Sequence, residues 1–302
     1  MIRTIHMQAG GQMAELVNIN GTILERAKAF ISVFDHGFLF GEGVYETIRT
    51  YNRELFLFDR HMSRLRSSAM QIDLTCPYTD KTVLSRIVAT MEAGVSTGEA
   101  YIRLLLTRGE GDITYDPRAC PTPSLIIIVK PHLNVPPKLE ENGVMVTLAT
   151  VMRNHPSSVN PAIKSNNLLN NALAMQQAFK NGAYEALMCN YKGDLVECAQ
   201  SNFFIVRDGI ALTPPLRDGL LEGVTRNFVF EVGSEIGVPV REASLRREDL
   251  STATEAFLTS TTREIVPIVK VDQVTIGSGQ PGPVTKALLS GLRKNARALT
   301  HP

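Results

Sequence analysis

Lys164 stands in the run NPAIKSNNLLNNALAMQQA, between a strand-like segment and an amphipathic stretch at helical spacing. Connections of that kind gather function because a rigid scaffold positions them. An amine attacks an aldehyde only as its free base, so a nucleophilic lysine needs burial or a neighbouring cation to lower its pKa. A lysine taken alone is usually a solvated charge, but Ser165, Asn166, Asn167, Asn170 and Asn171 follow this one at a helix start. Capping uses one or two such side chains, and the surplus suggests a lined polar site. Glu197 lies in DLVECAQSNFF, where strand alternation puts Leu195 and Glu197 on one face and Val196 and Cys198 on the other. On an exposed edge it is an ordinary charge; on a buried face it must find a partner. Anion binding has three candidate sources. GLLEGVTRNF opens a helix at Gly223 to Thr225, LTSTTREIVP offers Ser260, Thr261 and Thr262 at a strand end, and Arg64 sits in RHMSRL. Helix N-termini and Ser/Thr turns present N–H groups and hydroxyls to anions, and arginine adds a fixed charge with fork geometry. Singly these are a cap, a turn and a helix arginine.

These residues must be held by surrounding elements. A hairpin is expected at 16–23 around Asn20-Gly21, and a second from 44–51 and 54–58 split by Asn52-Arg53. Asp59 then precedes a helix through Met62, Leu65 and Met70; a second helix at 80–94 and strands at 100–107 and 124–129 follow. The stretch 131–138 carries three prolines with Lys130 to Leu139 around it and reads as a linker between a small domain, 1–130, and a larger one, 139–302. In the second part strands are expected at 144–152, 185–189, 195–206, 239–243 and 256–259, and helices at 166–181, 223–236, around Arg247 and at 283–298. The fold class is α/β (α+β), in two domains with a cleft between them, a favoured place for a cofactor.

Composition narrows the function. The 302 residues carry a formal net charge of +1 and 31 scattered basic residues, which form no stripe for a phosphate backbone, so nucleic acid is not an expected partner. No apolar run approaches a membrane span, and MIRTIHMQAGGQM lacks the apolar core of a signal peptide; a cytoplasmic protein without membrane contact is expected. Cys76, Cys120, Cys189 and Cys198 form no CxxC pair and no His stands at ligand spacing, so no metal site is expected. The P-loop pattern GxxxxGK[ST] is missing.

In order, DHGFLFGEGVYETIR, RHMSRL, AYIRLLLTRGEG, NPAIKSNNLLNN, LVECAQSNFF, GLLEGVTR and LTSTTREIVP resemble the class IV aminotransferases of pyridoxal-5'-phosphate (PLP) fold type IV. That group contains branched-chain aminotransferases, D-amino acid aminotransferases and aminodeoxychorismate lyase, and the likeness covers nearly the whole chain. It implies a small N-terminal α+β domain and a larger C-terminal α/β domain with PLP at their interface. It also implies that Lys164 forms the Schiff base and shuttles the proton, that Glu197 faces the pyridine nitrogen and keeps it protonated, and that Arg64, Val224, Thr225 and Thr261 hold the phosphate. Members are homodimers or larger, so a homo-oligomer is expected.

The resemblance also bears on substrate. Tyr101-Ile-Arg103 resembles the Tyr-x-Arg signature of the branched-chain group, whose arginine receives the distal carboxylate of glutamate while apolar walls accept leucine, isoleucine or valine. Phe40, Tyr45, Thr261 and Thr262 complete the implied substrate pocket, with Thr47 where branched-chain enzymes carry glycine. Leu169, by contrast, occupies the place of a tyrosine in branched-chain enzymes and matches D-amino acid enzymes. Those enzymes use an Arg-x-His pair where this chain has Arg118-Ala119-Cys120. The expected reaction is ping-pong transfer of an amino group between branched-chain L-amino acids and 2-oxoglutarate. D-amino acid or (R)-amine transamination and aminodeoxychorismate lyase are the alternatives, and a non-catalytic PLP carrier is the rival from another class.

Overall fold

The computed structural model describes residues 15–94 and 98–300, so the reading of the leader 1–13 lies outside the described residues. The first part of the chain runs β1 (Leu16–Ile19), β2 (Thr22–Glu25), α1 (His36–Leu39), β3 (Gly43–Tyr51), β4 (Glu54–Leu55), α2 (Phe58–Met70), α3 (Asp80–Gly94), β5 (Ala100–Thr107) and β6 (Ser124–Pro131). Its strands form one six-stranded sheet in the order β2-β1-β6-β5-β3-β4. Alternation divides β5 cleanly: Ala100, Ile102, Leu104 and Leu106 enter an apolar core with α2 and α3, leaving Tyr101, Arg103 and Leu105 half-buried on the opposite face.

The second part runs α4 (Pro137–Asn142), β7 (Val144–Leu148), α5 (Leu169–Lys180), β8 (Glu185–Cys189), β9 (Leu195–Cys198), β10 (Asn202–Arg207), β11 (Ile210–Thr213), α6 (Val224–Ile236), β12 (Val240–Glu242), α7 (Asp249–Thr252), β13 (Glu255–Ser260), β14 (Glu264–Val271), β15 (Val274–Thr275) and α8 (Pro283–Leu299). A nine-stranded mixed sheet carries apolar packing on both faces: on β10, Phe203 and Ile205 face one cluster, while Phe204 and Val206 face α6 and α8. Tyr51 and Phe56 from the first part insert into that second cluster, so the two sheets are packed together.

Several elements differ from expectation for physical reasons. α2 starts at Phe58, its N-cap is Leu57 in the left-handed region (φ 53°), and Asp59 falls in the first turn instead of capping it. α5 starts at Leu169, not Asn166, because Val44 pairs with Ser165 in an isolated antiparallel bridge that holds the preceding residues extended. The stretch 195–206 is two strands joined by a tight turn, β7 stops at Leu148, and α4 begins inside the prolines read as linker. β11 and β14 have no counterpart among the expected strands.

Candidate active site

The segment around Lys164 has no regular structure of its own and is fixed by β3. The Tyr45 amide donates to the Lys164 carbonyl at 2.9 Å, and the Asn166 amide donates to the Gly43 carbonyl at 2.8 Å. The Lys164 amide donates to the Ser68 hydroxyl on α2 at 3.1 Å. Close approach requires glycine at position 43, since a Cβ there would lie 2.5 Å from Asn166 Nδ2. Held this way, the half-buried Lys164 places Nζ 4.5 Å from the centre of the Tyr45 ring. Lys164, Arg64, Glu197, Val224, Thr225 and Thr261 line one cavity. A second, adjoining cavity shares Tyr45, Arg64, Lys164 and Thr261 with it and adds Tyr101, Arg103 and Thr262. Phe40 lines neither; its ring packs on His36 and Tyr115 at 4.9 and 5.0 Å between centroids.

Glu197 is 5% exposed. Burial pushes its carboxyl up, opposed by the charge and hydrogen bond of Arg153. Arg153 Nε donates to one carboxylate oxygen at 2.7 Å, and the Leu221 amide donates to the other at 3.2 Å. The asparagines after Lys164 explain themselves here: Asn170 and Asn171 accept from Arg153 at 3.2 and 3.4 Å, and α5 has no side-chain cap. Two residues of the polar run therefore hold the arginine that holds Glu197, while Ser165, Asn167 and Asn171 line the cavity as expected. A buried carboxylate restrained on one side and open to a cavity on the other is poised to accept a proton-bearing nitrogen.

The anion end is assembled from three elements. α6 is capped by Gly223, which supplies no side-chain acceptor, so the amides of the first turn carry the partial positive charge of a helix N-terminus. Glycine is required there too, because a Cβ would lie 1.9 Å from Asn202 Oδ1. Arg64 reaches across from α2: Nη1 donates to the Glu222 carbonyl at 2.7 Å, while Nε and Nη2 clamp Glu46 at 2.7 and 2.8 Å. Those bonds use three of the five guanidinium N–H groups. Glu46 is fully buried and also contacts His61 Nδ1 at 2.7 Å. Burial works to raise its carboxyl, yet Arg64 and His61 bring it well below the usual carboxylate range, and burial lowers His61.

Neither Glu46 nor Arg153 was singled out from the sequence, because their partners lie 18 and 44 positions away on other elements. Glu185, with Arg263 at 2.7 Å, is a third such pair, and Arg263 lines the second cavity. In contrast Arg103 has no carboxylate partner among the described residues and lies over the Tyr45 ring at 4.1 Å. β3 and β5 pair Thr47 with Arg103 and Arg49 with Tyr101, so Tyr45, Thr47, Tyr101 and Arg103 share one face of the sheet. Leu168, Ala172, Met175 and Phe179 supply apolar wall opposite them. Leu169 and the exposed Arg118, which pairs with Asp116, line neither cavity.

Comparison with known proteins adds a family-level finding. A family model described as amino-transferase class IV matches residues 43–271. A provisionally named branched-chain-amino-acid aminotransferase of Methanocaldococcus jannaschii is 39% identical over 272 residues, 90% of this chain and 93% of that protein. D-alanine aminotransferase of Bacillus licheniformis is 33% identical, over 92% of this chain and 96% of that one. Among solved structures, the branched-chain amino acid aminotransferase of Escherichia coli superposes with a TM-score of 0.89 at 28% identity, covering 95% of this chain and 96% of that one. A T.th. branched-chain amino acid aminotransferase complexed with N-(5'-phosphopyridoxyl)-L-glutamate gives 0.87 at 25% identity, covering 94% and 95%.

Proposed function

The chain belongs to the class IV aminotransferases, which use pyridoxal 5'-phosphate, and on that footing we propose that it exchanges amino groups between branched-chain L-amino acids and 2-oxoglutarate by ping-pong kinetics. The residues fit the cofactor. A helix N-terminus without a side-chain cap beside the half-buried Arg64 suits its phosphate, a buried carboxylate suits its pyridine nitrogen, and a lysine lining the same cavity suits its aldehyde. When bound, the cofactor supplies an electron sink for charge developing at the substrate carbon. Lys164 Nζ anchors it and carries the proton to and from that carbon; Glu197 holds the nitrogen end charged; Arg64, Val224, Thr225 and Thr261 hold the phosphate.

The observation that carries the substrate reading is Arg103, a half-buried guanidinium without a carboxylate partner among the described residues, opposite an apolar wall in the cavity that Lys164 also lines. One pocket can then take a distal carboxylate on the arginine and an aliphatic side chain on the wall. Phe40, Tyr45, Tyr101, Thr261 and Thr262 are proposed to complete it. A D-amino acid activity is the second reading, favoured by the similarity to D-alanine aminotransferases.

Two further parts of the reading have support of their own. Phe30, Ile31, Val33, Phe34 and Phe38 are exposed, as are Ile113 and Tyr115 just beyond Gly111, whose amide donates to the Phe34 carbonyl, an apolar face suited to a homodimer. All four cysteines are free, as suits the cytoplasm, and no helix of the described residues is long and apolar enough to cross a membrane. The test is a donor panel with both enantiomers of leucine, valine, alanine and glutamate plus (R)-1-phenylethylamine, with 2-oxoglutarate as acceptor. L-leucine and L-valine should be turned over fastest, with parallel lines in double-reciprocal plots; preference for D-alanine or the amine would overturn the assignment.

A further inference from the structure

We propose that the hydroxyl of Thr259 is an additional donor to the cofactor's phosphate, an inference that rests on the cleft taking pyridoxal 5'-phosphate. Register sets its position. Asn202 pairs with Glu197 on one side and with Thr259 on the other, so the three side chains stand in a row on one face of β9, β10 and β13. Glu197 ends the row nearest Arg153, and its neighbour Asn202 donates to Glu197 at 3.5 Å and to the Leu221 carbonyl at 2.9 Å. Gly223, the cap of α6, is pressed against that same Asn202. Thr259 stands at the end of the row away from Glu197, and Thr261, in the turn that follows β13, lines the same cavity as Thr259 and the start of α6.

All five of these residues, Glu197, Asn202, Gly223, Thr259 and Thr261, line the cavity that holds Lys164. Thr259 is 1% exposed, yet its hydroxyl oxygen has no hydrogen-bond partner among the described residues. Buried hydroxyls are normally paired, and one without a partner in a cavity wall lined with anion-binding groups calls for an acceptor oxygen. Valine fits the same strand position with the same shape, so nothing in the packing of the strand demands threonine.

The experiment compares the apoproteins of wild type, Thr259→Val and Thr259→Ser by three measurements: thermal midpoint alone, its rise with inorganic phosphate, and the dissociation constant for pyridoxal 5'-phosphate from absorbance. For Thr259→Val we expect a thermal midpoint equal to or above wild type, because an unpaired buried hydroxyl has been removed. The phosphate-induced rise should shrink. Affinity for pyridoxal 5'-phosphate should weaken by about tenfold to a hundredfold, the range of one hydrogen bond to a charged group. Thr259→Ser should restore both ligand readouts. A lower midpoint with unchanged cofactor affinity would make Thr259 a packing residue only, and weakened cofactor affinity with unchanged phosphate protection would remove the assignment to the phosphate. Failure of the wild-type apoprotein to take up the cofactor at all would instead overturn the parent reading, and this inference with it.

Discussion

Glu46→Gln separates the support of the anion site from the site itself. Both carboxylate oxygens of Glu46 accept from Arg64, at 2.7 and 2.8 Å, and one also contacts His61 at 2.7 Å. Whichever way a glutamine amide is turned, its NH2 group meets an Arg64 N–H, so at least one buried donor pair is forced together and the guanidinium, 12% exposed, loses its counter-charge. Removing one partner of a buried ion pair costs about 3–5 kcal/mol, a large part of the roughly 5–15 kcal/mol that holds a typical protein folded. Urea unfolding of the apoprotein at pH 7 measures it. The pH dependence has a definite sign: because Glu46 is held below its ordinary range in the fold, its contribution is present above the unfolded carboxyl pKa of about 4.3 and is lost as pH falls below that. The variant should therefore show a shallower acid loss than wild type. Replacing the whole pair, as in Glu46→Leu with Arg64→Met, should return much of the stability while leaving affinity for pyridoxal 5'-phosphate weak. A single variant within about 1 kcal/mol of wild type, or a double variant that binds the cofactor normally, would refute the reasoning.

Glu197→Gln should still bind the cofactor but lose on the order of 10²–10³-fold in kcat, the scale of a lost preorganised charge; stopped-flow turnover at wild-type speed would remove its role. Arg103→Met should raise KM for 2-oxoglutarate about tenfold to a hundredfold, the worth of one charge-assisted hydrogen bond, and leave KM for a monocarboxylate 2-oxo acid close to wild type; equal effects on both would show that Arg103 does not read the distal carboxylate. His132, brought down to about 4 by burial and by Arg49, is neutral in the fold and protonated in the unfolded chain between about pH 4 and its ordinary 6.5. Stability should thus fall as pH drops from 6.5 towards 4, and His132→Gln should flatten that part of a pH series of thermal midpoints; identical slopes would exclude it.

Lys164, Glu197 and the start of α6 were legible because each carries its signal locally: a charge in an unusual polar run, a charge in a strand pattern, a glycine before an amphipathic helix. The supports were not. Glu46 looks like any outward residue on a strand of alternating type until α2 is laid over that face, and Arg153 lies in a loop with no periodicity. Of the polar run after Lys164, read as lining for a site, Ser165, Asn167 and Asn171 do line the cavity, and the fold also uses Asn170 and Asn171 to orient Arg153, which the run itself does not reveal. β14 escaped notice with Pro267 in its middle, since proline argues against an interior strand. The sheet accommodates it because the pairing of β14 with β7 runs only from Ile268 onward, and Pro267 pairs with Phe257 on β13 alone. Such facts are set by contacts between segments distant in sequence, which no single-segment pattern contains.

The distribution of partners among the arginines of the two cavities sorts support from recognition. Arg64, Arg153 and Arg263 each meet a buried glutamate, Glu46, Glu197 and Glu185. A guanidinium whose charge is matched inside the fold is fixed in place, and contributes geometry more than net attraction to an incoming anion. Arg103 is different: it rests on an aromatic face, a contact worth about 0.5–2 kcal/mol that a carboxylate can supplement without displacing an internal acid. A transaminase that must hold an acidic and an aliphatic substrate in one pocket needs such a charge, because burying an aliphatic side chain beside it leaves the cation on the Tyr45 ring and not stranded. In the exchange proposed above, the three paired arginines would keep the cofactor's surroundings constant through both halves, and Arg103 would be left to distinguish which substrate has arrived.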